Sequence, residues 1–172
     1  MMTKKTIIFI LFIAFISCSE QQEIKQPSLK EIQEALLEAN IKATEIESEQ
    51  IEAYIKEKEL SVEGTGTGLR YSIYHKGEQT IKGELGKRAV INYQVTLLNG
   101  DTCYSTEGKP EELLIGEDYA ESGLHEAIQL MYEGDKAIVI IPSHLAHGLA
   151  GDLKKIPIRS TIVYDIELLK VK

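Results

Sequence analysis

Between Ile140 and Pro157 the sequence reads IIPSHLAHGLAGDLKKIP, with His144 and His147 three apart, Gly148 and Gly151 three apart, and Pro142 and Pro157 near its ends. Three chemistries suit such a stretch: a metal site, a phosphate-binding loop, or the rim of a pocket that needs neither. Zinc usually takes paired histidines from a helix or from a set that includes cysteines. Here the pair sits among glycines and prolines, with no cysteine and no third ligand nearby, and His75 and His125 lie far away in sequence. No metal and no cofactor is expected. A phosphate cradle needs glycines followed by a lysine at fixed spacing. The other glycine-rich stretch, GTGTG at Gly64–Gly68, has no such lysine and reads as a hinge-like connector. The rim of a pocket is the reading that remains.

The elements around this loop follow from periodicity. Ser28 and Glu31 form a capping box that starts a helix. Leu29, Ile32, Leu36, Ala39 and Ala43 continue at helical spacing, and Ile46, Ile51, Tyr54 and Ile55 follow after a phase slip. This predicts one long helix with an irregularity, or two helices broken near Asn40–Thr44. Such an arm cannot bury its apolar stripe alone and must pack on the domain or on a second copy. After the connector the pattern turns to β. Leu69–His75 alternates. AVINYQVTLLNGD puts Ile91, Tyr93, Val95 and Leu97 on one face, and Asn99-Gly100 predicts a type I′ hairpin turn into DTCYST. Glu112–Ile115 is a short strand closed by Gly116. Gly123–Met131 is a short helix burying Leu124, Ala127, Ile128 and Met131, with Glu133-Gly134 expected to end it. Lys136–Ile141 is an apolar strand, and Ile162, Tyr164, Ile166 and Leu168 face inward from the last one. The expected fold is α+β: an antiparallel sheet wrapped over one short helix, preceded by a helical arm.

The first residues read as a targeting signal. Lys4 and Lys5 precede Ile7–Ile16, an apolar run of ten. A bilayer span needs about 20 residues, so the run fits a secretory signal instead. FISC ends at Cys18, which resembles a bacterial lipobox and predicts lipidation of Cys18 and attachment to a membrane of the cell envelope. Cys103 is then left as a single thiol, unable to form an internal disulfide and expected to be packed. The net charge of −8 argues against nucleic acid, which attracts basic surfaces. Much of that acidity lies in residues 19–60, with eleven Glu and five Lys. The division expected is a signal over 1–17, a tether over 18–27, a helical arm over 28–60, a connector and first strand over 61–85, and a domain over 86–172.

The frame Tyr93, Leu97, Gly100, Pro110, Gly116, Gly123, Met131, Gly134, IPSHLAHG, Ile156-Pro157 and IVYDIELLKV resembles the FK506-binding-protein type of peptidyl-prolyl cis-trans isomerase over residues 86–172. With the lipid signal and the arm, the chain is also similar to the isomerase lipoproteins associated with gliding motility in Bacteroidetes. The resemblance implies a prolyl pocket built from Tyr93, Ile156 and Tyr164, with the backbone of Glu121 offering an N–H. It also exposes departures. Cys103-Tyr104 replaces a wall aromatic and a buried carboxylate, with Tyr104 able to fill part of the space. Glu111 follows Pro110 where an aromatic is common. Leu124 replaces the floor tryptophan, and His147 replaces a tyrosine hydroxyl donor. A His147 donor would make binding pH-sensitive, since free imidazole titrates near pH ~6.5. His144 is expected to be an exposed loop residue.

The resemblance therefore implies an envelope prolyl isomerase and folding factor of weakened activity. Its clients would be proline-containing polypeptides, and residues 28–60 would pair two copies. The alternative is a non-catalytic scaffold that keeps the fold and abandons the pocket.

Overall fold

The computed structural model describes residues 27–172. The signal expected over 1–17, Cys18, and all of the 18–27 tether except Pro27 lie outside the described residues. The chain divides into two units, the first ending at Ala39 and the second running from Asn40 to Lys172.

Helix α1 runs without a break over Leu29–Glu57. Its start is the expected capping box: the Glu31 N–H donates to Ser28 Oγ at 3.3 Å, and the Ser28 N–H donates to Glu31 Oε2 at 2.7 Å. Of the two alternatives, the single helix is the one formed. The Thr44 hydroxyl bonds back to the Asn40 carbonyl at 3.0 Å, so its polar side chain is satisfied inside the helix and does not break it. The phase slip separates two environments. Ile51 is buried and joins Tyr54 and Ile55 against Ile140 and Val163, whereas Leu29, Ile32, Leu36 and Leu37 are exposed.

Seven strands follow: β1 (Glu63–Gly64), β2 (Arg70–His75), β3 (Arg88–Leu97), β4 (Thr102–Ser105), β5 (Glu111–Leu114), β6 (Lys136–Ile141) and β7 (Ile162–Val171). They form one antiparallel sheet in the order β1-β2-β6-β7-β3-β4, with β5 also pairing β3. Helix α2 (Ser122–Gln129) packs on the inner face, and a 3-10 turn (Ser143–Leu145) follows β6. Strand β6 is apolar at successive positions because both its faces are covered. Ala137, Val139 and Ile141 belong to the inner core, while Ile138 and Ile140 meet residues of α1 on the outer face.

Two local expectations need correction. The β3–β4 turn is not type I′. The Gly100 N–H donates to Leu97 O at 2.9 Å, and Gly100 has positive φ (+90°) while Asn99 does not. The Leu97 N–H also donates to Asp101 O at 3.0 Å, so this is a three-residue loop of the glycine-bulge kind. Helix α2 also ends earlier than expected. Its cap is Leu130, whose N–H bonds to Ala127 O at 2.9 Å, while the Met131 N–H bonds to Ile128 O at 3.1 Å. Glu133-Gly134 forms a separate turn, in which the Glu133 N–H pairs with Ile81 O. Gly123 opens α2 because a Cβ there would come within 2.3 Å of Ile141 Cγ2. Only glycine lets the helix start this close to β6.

Candidate functional site

The pairing of β3 with β7 sets the first wall. Tyr93 lies opposite Ile166, and Val95 opposite Tyr164, so the two tyrosines are diagonal neighbours on the inner face. Their ring centroids are 5.4 Å apart with planes tilted by 56°, within the range aromatic pairs prefer. Together they flank a cavity of about 410 Å³, with Leu124 of α2 at its base and Tyr104, Glu121 and His147 around it. Six of the seven residues expected to form the site thus line one hollow. Ile156 does not reach that lining. It is 3% exposed and sits in the inner core, where its N–H donates to Asp152 Oδ1 at 2.8 Å. The loop turns Ile156 inward as a packing residue and brings its neighbour Asp152 to the cavity.

Three tyrosine hydroxyls on this cavity wall each meet a carboxylate. Tyr93 donates to Glu111 Oε2 at 3.0 Å, and Tyr164 to Glu121 Oε2 at 3.2 Å. Tyr104 donates to Asp152. His147 Nε2 lies 2.8 Å from Glu121 Oε1; a carboxylate oxygen only accepts, so this nitrogen carries the hydrogen and donates a hydrogen bond to Glu121. The donor expected of His147 is therefore engaged within the protein. Burial and the Glu111 bond push the Tyr93 phenol up to about 12. Burial and the negative Glu121 push Tyr164 well above the ordinary phenol range. Both remain neutral donors. Burial works against the Asp152 charge, but the Tyr104 hydroxyl and the N–H groups of Ile156 and Lys154 outweigh it and bring the carboxyl down to about 2.

Glu111 lines the cavity at the position where the resemblance has an aromatic, and Asp152 and Tyr119, which sequence does not single out, line it too. Asp152 had a readable signal: it follows Gly151 in a loop, and its side chain accepts the N–H of Lys154 two residues on, at 2.9 Å, a turn habit of aspartate. The sequence lacks a carboxylate after the β3–β4 hairpin, but the structure supplies one from the opposite side. The strand now offers the hydroxyl of Tyr104 and the loop offers the carboxylate of Asp152. Cys103 stays in the core, 2% exposed, with its thiol raised by burial.

Glu121 is held by the loop before α2. The Gly116 N–H donates to His125 Nδ1 at 2.9 Å, so the other ring nitrogen, Nε2, carries the proton and donates to Asp118 O at 3.1 Å. Both nitrogens of His125 are spent on fixing this loop. Glu121 itself is extended (φ −62°, ψ 140°), and its N–H donates to no acceptor among the described residues. The two loop histidines diverge. His144 is exposed and its Nε2 meets Thr67 O at 2.9 Å, whereas His147 turns to Glu121. Two other cavities, of about 430 and 470 Å³, lie beside α1, but they offer one aromatic residue at most.

The sequence model of the FKBP-type peptidyl-prolyl cis-trans isomerases matches residues 79–169. The chain belongs to this family. It is 36% identical over 118 residues to the FKBP-type peptidyl-prolyl cis-trans isomerase FkpA of Escherichia coli K12, covering 67% of this chain and 42% of that protein. The chain thus spans less than half the length of that relative. It is 36% identical over 100 residues to FK506-binding protein 2 of Dictyostelium discoideum, covering 57% of this chain and 75% of that protein. The crystal structure of FkpA from Escherichia coli superposes with a TM-score of 0.65 at 28% identity, over 99% of this chain and 83% of that one. The FKBP-like α+β fold expected from the sequence is the one observed, and the aromatic cavity lies within the segment the family model covers.

Proposed function

We propose that this chain is a peptidyl-prolyl cis-trans isomerase and folding factor of the bacterial cell envelope, acting on Xaa–Pro bonds in the Tyr93–Tyr164 cavity. The observation that carries this reading is the cavity itself: two tilted tyrosines over an apolar Leu124 base, with the free Glu121 N–H beside them, in a member of the FKBP-type family. The chemistry needs neither nucleophile nor metal. Amide resonance opposes rotation by about 18–20 kcal/mol, and free Xaa–Pro bonds take tens to hundreds of seconds to interconvert. An apolar hollow that takes the proline ring strips water from the amide and favours the twisted state, in which resonance is lost. The Glu121 N–H is suited to hold the carbonyl of the residue before proline. Exposed Tyr119, Leu149 and Leu153 add apolar surface on the loops that bear the site, which suits a polypeptide client.

One observation favours the alternative of a weakened or non-catalytic module. The hydroxyls of Tyr93, Tyr104 and Tyr164 and the Nε2 proton of His147 are already held by carboxylates, so substrate must compete for them. A protease-coupled assay with a proline peptide separates the readings. Turnover above buffer supports the isomerase, and a rate equal to buffer supports the scaffold.

The envelope assignment rests on the sequence up to Cys18. Lipidation predicts that Cys18→Ser abolishes both fatty-acid labelling and membrane association. With the arm and the isomerase domain, this pattern supports placing the chain beside the gliding-motility isomerase lipoproteins of Bacteroidetes. The proposed division has an arm over 28–60, a connector and first strand over 61–85, and an isomerase domain over 86–172. Exposed Leu29, Ile32 and Leu36, three and four residues apart on α1, support pairing of two copies through the arm. Sedimentation as a monomer at all concentrations would exclude that pairing.

A further inference from the structure

We propose that Glu47 of α1 is a positioning residue for the prolyl site, holding the loop that carries His147 and Asp152 at both of its ends. The inference rests on the isomerase reading above. Glu47 lies outside the prolyl cavity and touches none of its wall residues by hydrogen bond. Its carboxylate accepts three hydrogen bonds instead. The Ser143 N–H donates to Oε1 at 2.7 Å and the Ser143 hydroxyl to Oε2 at 2.9 Å. The Thr161 hydroxyl donates to Oε1 at 2.7 Å. Ser143 opens the loop just after β6, and Thr161 closes it just before β7.

Both loop partners are nearly inaccessible, Ser143 at 8% and Thr161 at 5% exposed, so water cannot readily replace the carboxylate. Bonds to a charged acceptor are among the stronger ones in proteins.

From Ser143 the hold passes to His147. The Ser143 carbonyl accepts the N–H of Ala146 at 3.1 Å and of Gly148 at 2.8 Å, the residues on either side of His147. The Gly148 carbonyl accepts the Arg159 N–H at 2.8 Å, and Arg159 Nη2 donates to Asn40 Oδ1 of α1 at 2.8 Å. Residues of α1 thus fix the loop at three points, and His147 completes the chain by binding Glu121. The part of the arm from Asn40 onward belongs to the isomerase site as its frame.

The test uses the full chain with Glu47→Ala, Glu47→Gln, Thr161→Val and, as a control, Glu49→Ala, an exposed glutamate of the same helix. The readouts are kcat/KM for a proline peptide, the NMR signals of the Gly148 amide and the His147 ring, and the urea midpoint. A small misplacement of a catalytic frame can cost orders of magnitude in rate, so Glu47→Ala is expected to lower kcat/KM by about tenfold or more. Both NMR signals should move. Glu47→Gln keeps one acceptor oxygen and should recover part of the rate, Thr161→Val should fall between, and Glu49→Ala should match wild type. If Glu47→Ala does not fold, Thr161→Val decides. Folded variants with wild-type kcat/KM and unmoved Gly148 and His147 signals overturn the proposal. If the wild-type chain shows no turnover, the isomerase reading fails, and the two NMR signals still decide whether Glu47 holds the loop.

Discussion

The two faces of the sheet are built for different ends. The inner face carries a cluster of twenty buried residues around α2, and a cavity interrupts it. Among the described residues, the outer-face cluster buries just Ile140 and Val163 of the sheet with Ile51 of α1, whose later turns seal it. Around the inner hollow, tyrosine hydroxyls and the His147 imidazole turn to carboxylates. On the outer face the notable polar group is Glu47, and its bonds go to the loop ends. The inner face thus leaves a hollow where function needs one, and the outer face fixes the loop that borders it.

The largest effect should come from the inner core. Ile128→Ala, at a fully buried position of α2, should cost about 2–5 kcal/mol of unfolding free energy in urea titrations. A loss below about 1 kcal/mol would mean that α2 is not packed as described. Ile51→Ala should fall at the low end of that range, about 2 kcal/mol, because its cluster is small. An equal or greater loss than Ile128→Ala would break the contrast between the faces.

The smallest effect is the acid response of Asp152. Its carboxyl is held from an ordinary value of 3.8 down to about 2. A lowered folded value means that the ionised form stabilises the fold. That contribution is fully present above pH ~4 and is lost as the pH falls towards ~2. The difference in thermal midpoint between pH 5 and pH 2.5 should therefore shrink in Asp152→Asn. An unchanged difference would remove Asp152 from the account of the loop.

Periodicity made the strands legible, because each side chain on an alternating strand has one face to choose. Tyr93, Tyr164, Leu124 and the α1 capping box could be placed from local pattern alone. The exact chemistry of turns was less legible: Asn99-Gly100 marked the hairpin, but its bulge depends on register across β3 and β4. The end of α2 was overrun because Leu130 and Met131 stay apolar after the helix stops. Least legible were pairings across long sequence separations. The Tyr104–Asp152 pair and the Glu47 staple join residues that no window of sequence contains together. Ile156 was assigned to the pocket by its place before Pro157, and only the loop's closure turns it into the core.

The most direct test of the prolyl cavity is exchange NMR of a proline peptide, which reads cis-trans interconversion without a coupling protease. The full chain should accelerate exchange over buffer, and a folded Tyr93→Ala variant should lose at least about tenfold of that acceleration, or about 1.4 kcal/mol of transition-state stabilisation. A folded wild-type chain that leaves the exchange rate at the buffer value would contradict the account.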